Sequence, residues 1–443
     1  MDLNERLQSV AVVGAAGKMG SGISLLLALE MAYRALAARD RTFVLSLIDM
    51  NDAALQGLLR YIREQAQKDG EKQMNRLRDL YRDRADLVEN ADIIQEFVAE
   101  VMLHLRTGRT LALAADALLV FEAAFEKEEI KFQIYNELAS LCRPETWFFT
   151  NTSSIPLHVL TETCGIRGRM IGFHFYNPPA VQKLLEVIPP EGCEPALRAL
   201  AEELAKVLRK KTVPASDIAG FIGNGHFMRD GLFCIRALEK LAPEHGFVPA
   251  LYLVEKVSRD FLLRPMGMFQ LIDYVGIDVF QLILRVMEKY LKDGLHSPLV
   301  DRMLELGVRG GQTSSGSQKD GFLKYEKGKP VAIYDPEAQT YRALDPALVA
   351  ALDDRLGAPP DPALTWKSLG RDPDKEARLK GWFAALKGLD TLGGAMAREH
   401  FLASREVALG LVRQGVAARA EDVNDVLTLG FFHLYGPVND LLA

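Results

Sequence analysis

The segment from His174 to Glu186 combines the side chains needed to remove a proton from an alcohol. Asn177 follows the histidine after three residues and Glu186 after twelve, in a run that is otherwise largely apolar. Imidazole is the natural general base near neutral pH, and a carboxylate on its second ring nitrogen fixes the tautomer and stabilises the cation that forms. Two strands joined by a turn at Pro178-Pro179 would bring the pair together, because proline ends both strands and helices.

A glycine-rich turn near the N-terminus indicates a binding site for a dinucleotide. The segment Gly14-Ala-Ala-Gly17-Lys18-Met19-Gly20 follows an apolar run that is typical of a buried parallel strand, and a helical pattern continues from about Ser21 to Ala38. The glycines permit a tight turn and close approach of the backbone to a pyrophosphate, and the start of the helix attracts the phosphates. These seven residues are therefore the predicted phosphate-binding loop.

Asp49 ends the next predicted strand, Thr42 to Ile48, where a carboxylate would accept a hydrogen bond from a ribose 2′-hydroxyl. The same charge would repel a 2′-phosphate, so NAD is favoured over NADP as the cofactor. The pattern departs from the usual dinucleotide-binding motif in two ways. Its GxxGxxG spacing is one residue longer than GxGxxG, and Asp49 lies 29 residues past Gly20 rather than about 20 after the motif. An extended helix or an insertion around Met31 to Arg41 would account for the distance. The alternative is a glycine-rich connection that binds no nucleotide.

Strands alternate with helices through the first half of the chain, which predicts a doubly wound α/β sheet. From Ile218 onward helical periodicity dominates, and a weak repeat appears. Gly246, Val257 and Gly267 recur 169 residues later as Gly415, Val426 and Gly436, which favours a duplicated helical module. The predicted domains are 1–215, which binds the nucleotide; 216–334, the first helical domain; 335–375, a linker; and 376–443, the second helical copy.

Composition excludes several classes of function. The net charge is −6 and no long basic run occurs, so nucleic acid is not an expected partner. We expect no signal peptide and no membrane span, since no run of about 18 uncharged apolar residues occurs. The four cysteines are scattered without a CxxC pair, which gives no metal signature and fits a reducing cytoplasm.

Taken together, the motifs resemble the L-3-hydroxyacyl-CoA dehydrogenases of fatty-acid β-oxidation, in their long form with a duplicated C-terminal helical domain. The resemblance runs from about residue 9 to about 325, and the segment after about 376 looks like a second copy of the helical domain. The matching pieces come in the family's order. They are Val13-Gly14, Met19-Gly20, Val120-Phe-Glu122-Ala, Glu126, Asn151-Thr-Ser153-Ser, His174-Phe-Tyr-Asn177-Pro, Leu185-Glu186-Val, Gly220-Phe-Ile-Gly-Asn224 and Pro265-Met-Gly-Met-Phe269.

The resemblance implies a fold, a reaction and a role for each matching residue. The fold would be a Rossmann-like sheet followed by all-α C-terminal domains of the 6-phosphogluconate dehydrogenase type. NAD would accept hydride from C3 of the hydroxyacyl chain while the histidine takes the hydroxyl proton. The implied catalytic residues are His174 as base, Glu186 as its orienting carboxylate, and Ser153, Asn177 and Asn224 at the substrate. The implied cofactor residues are Gly14, Gly17, Lys18, Met19, Gly20, Asp49, Glu122, Glu126 and Lys131.

The chain departs from the family around the last of these motifs. Ala219 stands where the family has proline and Gly225 where it has arginine, and residues 70–110 are longer and more charged than usual. That insert would lie on the coenzyme A side. Lys68 and Lys72 are interpreted as a solvated helix face, with coenzyme A phosphates as the alternative partner. These departures bear on affinity and substrate choice more than on the type of reaction.

Three functions remain open from the sequence. The first is oxidation of an acyl-CoA substrate, the second is dehydrogenation of a small hydroxy acid without coenzyme A, and the third is binding of NAD or coenzyme A without catalysis. In shorter relatives of the family that the chain resembles, the helical domains of two subunits meet in a homodimer. A chain with both helical copies would make that contact internally. We therefore expect a monomer or a non-obligatory homodimer, with association to other β-oxidation enzymes as a further expectation.

Overall fold

The first unit of the chain, Met1–Ile218, is built on one eight-stranded sheet. Residues 1–313 and 316–442 are described by the structure, which is a computed structural model. The strands are β1 (Ser9–Val13), β2 (Val44–Ile48), β3 (Leu105–Gly108), β4 (Leu119–Glu122), β5 (Trp147–Thr150), β6 (Met170–Phe175), β7 (Leu184–Ile188) and β8 (Lys211–Pro214). Their order is β3-β2-β1-β4-β5-β6-β7-β8, and β7 and β8 run antiparallel to the other six. The predicted doubly wound sheet is thus confirmed.

Eight α-helices accompany this sheet. They are α1 (Leu3–Arg6), α2 (Lys18–Ala37), α3 (Asp52–Lys72), α4 (Met74–Leu80), α5 (Asn90–Leu103), α6 (Glu128–Leu141), α7 (Leu157–Thr163) and α8 (Pro195–Val207). The 20 residues of α2 account for the long separation between the glycine motif and Asp49. Central strands such as β4 and β5 are buried at every position, because helices cover both faces of a sheet of this kind. Phe121 stacks on Phe149 at 4.8 Å between ring centroids and helps to fill this core.

The strand register aligns the carboxyl ends of the parallel strands at one edge of the sheet. Val13 lies opposite both Ile48 and Glu122, and Glu122 in turn lies opposite Thr150. The loops after β1, β2, β4 and β5 therefore begin side by side. In open α/β sheets, ligands bind outside these carboxyl ends. The register thus determines which loops can share one site.

Two strands of the sheet were not predicted from the sequence. β3 and β8 are four residues long, lie at the two edges of the sheet and are mostly exposed or half-buried. Edge strands are short and polar because they face water on one side, so they lack the apolar run that marks a central strand. The charged stretch from 70 to 110 is otherwise helical, as expected.

The second unit, Ala219–Ala443, is mainly helical. Its helices are α9 (Gly223–His245), α10 (Phe247–Lys256), α11 (Met268–Val275), α12 (Ile277–Leu291), α13 (Pro298–Glu305), α14 (Pro346–Leu356), α15 (Trp366–Leu369), α16 (Lys375–Lys387), α17 (Leu392–Arg413) and α18 (Ala420–Gly430). It also contains a three-stranded antiparallel sheet, β9 (Leu323–Glu326), β10 (Lys329–Asp335) and β11 (Thr340–Ala343), in a region predicted to be entirely α. The sequence does contain a signal for this sheet, the pair Lys327-Gly328 between β9 and β10. Their φ angles of 50° and 77° are those of the two-residue turn that joins antiparallel strands.

The stretch predicted as a linker, residues 335–375, contains regular structure. β11, α14 and α15 lie within it. One of its prolines has a local cause, since Pro346 occupies the first turn of α14, a position where its missing N–H is not needed. The predicted glycine/serine loop, Gly310 to Gly321, lies between α13 and β9, and its residues 314 and 315 are outside the described residues.

The sequence repeat extends to matching structure. Gly223 and Leu392, the first residues of α9 and α17, are separated by the same 169 residues as the repeated glycines. Glu255 of α10 accepts a hydrogen bond from the Phe269 amide at 2.9 Å, and Asn424 of α18 accepts one from the Val438 amide at 2.9 Å. These four positions match in pairs at the same spacing. The duplicated pattern therefore includes two long helices and the contact that follows each of them.

Gly225 allows α9 and α17 to approach closely. A Cβ atom at this position would lie 3.0 Å from Cδ2 of Leu411 on α17, which is closer than ordinary packing. An arginine, as found at this place in the family pattern, would have to displace Leu411. Glycine at this position is thus explained by the packing of the helical unit itself.

We predict that Gly225→Arg lowers the free energy of unfolding by about 1–3 kcal/mol, because overpacking forces side chains and backbone to shift. Calorimetric unfolding of the wild type and the variant measures the loss. The matched control is Gly225→Arg with Leu411→Ala, which makes room for the new side chain and should recover part of the loss. Equal stability of the wild type and Gly225→Arg would contradict this account of the helix contact.

Candidate active site

The glycine loop packs tightly against the end of β4. Gly14 has φ +75°, and a Cβ atom on it would lie 2.7 Å from the carbonyl oxygen of Ala123. A Cβ atom on Gly20 would overlap the carbonyl oxygen of Gly14. No side chain caps the first turn of α2, whose N-cap residue is Gly17. This helix start therefore resembles that of a nucleotide-binding loop, in which the positive end of the helix attracts an anion.

The remaining motif residues occupy the start of α2. Lys18 is exposed there and Met19 is half-buried against the core of the first unit. Asp49 follows β2 and is tied to the same loop, since its Oδ2 accepts a hydrogen bond from the Ala16 amide at 3.0 Å. The structure thus brings the glycines, Lys18, Met19 and Asp49 together at one edge of the sheet.

Glu122, Glu126 and Lys131 form a buried ionic cluster beside this loop. The Lys131 ammonium lies 2.6 Å from Oε1 of Glu122 and 3.4 Å from Oε2 of Glu126, with only 1% of its side chain exposed. Burial lowers the pKa of Lys131, but the two carboxylates outweigh it and raise that pKa overall. Lys131 is therefore a fixed cation. Its burial fits a role in holding the loop after β4 in place, and its position near the phosphates or ribose of the cofactor, which the family pattern implies, stays a prediction.

Glu126 also organises the loop after β5. Its Oε1 accepts hydrogen bonds from the backbone amides of Ser153 at 2.8 Å and Ser154 at 3.0 Å, and from the Thr152 hydroxyl at 2.6 Å. Burial would raise the pKa of Glu126, yet Lys131 and these donors lower it overall, so the carboxylate stays ionised. Ser153 is consequently held at a defined place by backbone bonds to a charged partner.

The histidine and the glutamate of the opening segment are in contact. His174 on β6 lies directly opposite Glu186 on antiparallel β7, and its Nδ1 is 2.8 Å from Oε2 of Glu186. His174 is 8% exposed and Glu186 is fully buried. A carboxylate accepts hydrogen bonds, so this contact places the proton on Nδ1 and makes Nε2 the basic nitrogen. The proposed turn is also present, and it begins with a cis Asn177–Pro178 bond.

Two supporting residues were missed by the sequence analysis. The Tyr176 hydroxyl donates to Oε2 of Glu186 at 2.9 Å, so histidine and tyrosine share one carboxylate oxygen. Burial and the charge of Glu186 hold the pKa of Tyr176 well above its usual value. Alternation along a strand was an available signal, because residues 174 and 176 point to the same face. Asn151 gave no such signal, and its Oδ1 accepts from the Phe175 amide at 2.8 Å.

Asn224 belongs to the second unit, where it is the second residue of α9. Two left-handed residues precede it, Gly220 with φ 84° and the buried Phe221 with φ 47°. A bulky residue with positive φ is uncommon and persists only where the surrounding structure imposes it. The start of α9 is therefore fixed by its packing.

Comparison with known proteins identifies the family to which the chain belongs. The model of the 3-hydroxyacyl-CoA dehydrogenase NAD-binding domain matches residues 9–218, and that of the C-terminal domain matches residues 250–320. A 3-hydroxybutyryl-CoA dehydrogenase of Mycobacterium tuberculosis is 34% identical over 206 residues, which are 46% of this chain and 70% of that protein. The chain belongs to the 3-hydroxyacyl-CoA dehydrogenase family. It is accordingly an NAD-dependent oxidoreductase.

Other members of the dehydrogenase family match over more of the chain. A probable 3-hydroxybutyryl-CoA dehydrogenase of Bacillus subtilis is 28% identical over 321 residues, covering 71% of this chain and 97% of that protein. The crystal structure of 3-hydroxybutyryl-CoA dehydrogenase from Escherichia coli aligns with a TM-score of 0.64 at 22% identity, over 98% of this chain and 90% of that one. The latter likeness shows the fold. In the described part of this dehydrogenase no helix is long and apolar enough to cross a membrane.

A groove on the first unit of this dehydrogenase carries a concentration of positive charge. It measures about 400 Å³ and lies between α2, α3, the turn after β6 and the start of β8. We call it the cationic groove. Its charged lining residues are Lys68, Lys72, Arg76, Lys183, Arg209 and Lys210, opposed by Glu30 and Asp69. The excess of cations makes it complementary to an anionic ligand.

We predict that Lys131→Met destabilises the first unit by about 3–5 kcal/mol, because it leaves two carboxylates buried without their cation. Calorimetric unfolding of the variant measures the loss. The control replaces all three members, Lys131→Met with Glu122→Gln and Glu126→Gln, and should be more stable than Lys131→Met alone. If Lys131→Met unfolded at the wild-type temperature, the buried cluster would not hold the loops as described.

Proposed function

We propose that this protein oxidises (S)-3-hydroxyacyl-CoA to 3-ketoacyl-CoA with NAD, and that His174 is the general base. The contact of 2.8 Å between Nδ1 of His174 and the buried carboxylate of Glu186 carries the proposal. This pair lies at the end of β6, on the sheet edge where the glycine loop also lies. The base and the cofactor loop thus lie at strand ends on the same edge of one sheet, with β4 and β5 between β1 and β6.

The residues at the sheet edge fit NAD. Gly14 and Gly20 let the loop turn tightly and pack against the backbone after β4, and no side chain caps the start of α2, where a helix attracts a pyrophosphate. Asp49 stands at the end of β2, where its charge favours a ribose hydroxyl over a phosphate. When bound, NAD supplies the acceptor for the hydride of C3. Glu122, Glu126 and Lys131 hold the loops around it.

His174 removes the proton of the 3-hydroxyl group at its Nε2. The positive charge that develops on the imidazole lies against the buried Glu186 side chain, which is already in contact, so little reorganisation is needed. Tyr176 donates to the same carboxylate and fixes its orientation. In the reverse direction, protonated His174 polarises the ketone oxygen and then protonates it.

Ser153, Asn177 and Asn224 complete the proposed substrate contacts. Ser153 and Asn224 are assigned to the reacting oxygen or the thioester, and Asn177 to the positioning of substrate or cofactor beside the histidine. Support comes from the family pattern, from the anchoring of the Ser153 amide on Glu126 and from the position of Asn177 two residues after β6. These groups hold the reacting atoms in place rather than transfer protons.

We assign the coenzyme A part of the substrate to the cationic groove. Lys68 and Lys72 on α3 and Arg76 on α4 present exposed cations to it, and the half-buried Tyr61 contributes aromatic surface. Phosphates pair with lysine and arginine, and an adenine ring stacks on aromatic side chains. The turn that follows His174 forms another wall of this groove, which links the groove to the catalytic hairpin along the chain.

The wider setting is proposed on the family pattern. It includes fatty-acid metabolism in the cytoplasm, association with other β-oxidation enzymes, and the four domains 1–215, 216–334, 335–375 and 376–443. The paired helices α9–α10 and α17–α18 support the duplicated helical part of that division. We further propose that the second copy replaces the partner subunit of shorter relatives, so that the protein acts as a monomer or as a non-obligatory homodimer.

We predict that His174→Gln lowers kcat for NADH oxidation with acetoacetyl-CoA by about 10²–10⁴-fold, the usual contribution of a general acid or base. Glutamine keeps a polar side chain beside Glu186 but transfers no proton. The measurement is the decrease in NADH absorbance, and equal thermal unfolding of both proteins is the control. If the wild type oxidised NADH no faster than the variant, catalysis through His174 would be excluded and a non-catalytic binding protein would be favoured.

A second comparison separates the acyl-CoA enzyme from a dehydrogenase of small hydroxy acids. The cationic groove predicts a much larger kcat/KM with acetoacetyl-CoA than with free acetoacetate. Equal values, or a preference for free acetoacetate, would favour the small-acid alternative.

A further inference from the structure

Lys210 holds the turn that joins the two catalytic strands. Its ammonium donates hydrogen bonds to the carbonyl oxygens of Pro179 at 2.5 Å and Gln182 at 2.6 Å. Within the turn, the amides of Val181 and Gln182 both donate to the carbonyl oxygen of Pro178. The turn leaves β6 after His174 and enters β7 before Glu186. A cation on these two carbonyls therefore acts on the loop between the base and its carboxylate.

The other side of the same turn rests on the cofactor helix. A Cβ atom on Gly22 of α2 would lie 2.9 Å from Cδ of Pro179, so the proline ring occupies the space that this glycine leaves. The turn is consequently enclosed between Lys210, just before β8, and the helix that follows the glycine loop. A shift of Lys210 would move the turn relative to that helix.

The charge of Lys210 is balanced incompletely. Its two partners are neutral carbonyl groups, and among the described residues no carboxylate lies within ion-pair distance of it. Burial lowers the pKa of Lys210 to about 8. The side chain also lines the cationic groove, together with Gln182 and Lys183 of the turn. An anion bound in the groove would supply the missing negative charge.

We propose that Lys210 is a positioning residue that couples an anionic group bound in the cationic groove to the hairpin carrying His174 and Glu186. This coupling rests on the proposed acyl-CoA function. A bound phosphate stabilises the ammonium, the ammonium holds the turn more firmly, and the hairpin keeps the base in its reactive position. Binding energy from the remote nucleotide part of the substrate would then appear in kcat and not in KM alone.

The test compares acetoacetyl-CoA with acetoacetyl-pantetheine, which carries the same thioester but lacks the phosphates of the nucleotide part. For the wild type we expect kcat to be about tenfold higher with acetoacetyl-CoA, the magnitude of one charge-assisted hydrogen bond. In Lys210→Met the advantage in kcat should disappear. Lys210→Arg keeps a cation and should retain part of it, and calorimetry of both variants shows whether the fold is intact.

Lys68→Met is the matched control, since Lys68 is an exposed cation of the same groove on α3. This change should raise KM for acetoacetyl-CoA and leave the kcat ratio of the two thioesters near its wild-type value. Adenosine 3′,5′-bisphosphate, added as a separate anion, should raise kcat for acetoacetyl-pantetheine in the wild type but not in Lys210→Met.

Two results would overturn the coupling alone. One is an equal loss of kcat with both thioesters in Lys210→Met, which indicates a purely structural role. The other is a change confined to KM, which indicates simple binding. Absence of turnover of either thioester by the wild type would overturn the proposed function and the coupling with it.

Discussion

The hydrogen bond between His174 and Glu186 depends on the antiparallel pairing of β6 with β7. The two strands place these residues directly opposite each other, and burial of the carboxylate excludes water from its imidazole partner. A slip of one residue would turn one of the side chains to the other face of the sheet, because successive side chains in a strand alternate. The register of this pair is therefore the constraint on which the proposed chemistry depends.

The rest of the first unit brings a cofactor loop to the same edge. β1, β2, β4 and β5 end at matched positions, so the glycine loop, Asp49 and the loops anchored by Glu126 begin side by side. Lys131 forms charge pairs with Glu122 at the end of β4 and with Glu126 in the loop that follows, and Glu126 binds the loop after β5. Such pairs are costly to break and specify position well, which suits loops that must present backbone groups to a ligand. The ionic cluster and the His174–Glu186 pair thus both hold polar groups in place at a buried strand end.

Much of this arrangement follows from local sequence. The apolar runs of β1, β5, β6 and β7 and the glycines after β1 have signals within a few residues, and the pairing of His174 with Glu186 follows from a strand, a proline turn and a returning strand. Contacts that depend on distant residues had no such signal. Asn151 meets the backbone after His174, Lys210 meets the turn, and Leu411 fills the space beside Gly225, each across a separation that only the folded chain shortens. Short polar edge strands such as β3 and β8 were missed for a related reason, since half of their surface faces water.

In the proposed mechanism, Glu186 fixes the His174 imidazole with its proton on Nδ1, so that Nε2 acts as the base. The most direct measurement is ¹⁵N NMR of the protein labelled at its histidine rings, with His174→Gln used to assign the His174 signals. We expect neutral His174 to carry its proton on Nδ1 in the wild type and to lose this strict preference in Glu186→Gln. A neutral His174 protonated on Nε2 in the wild type would contradict this mechanism, because that nitrogen would then be a donor and not the base.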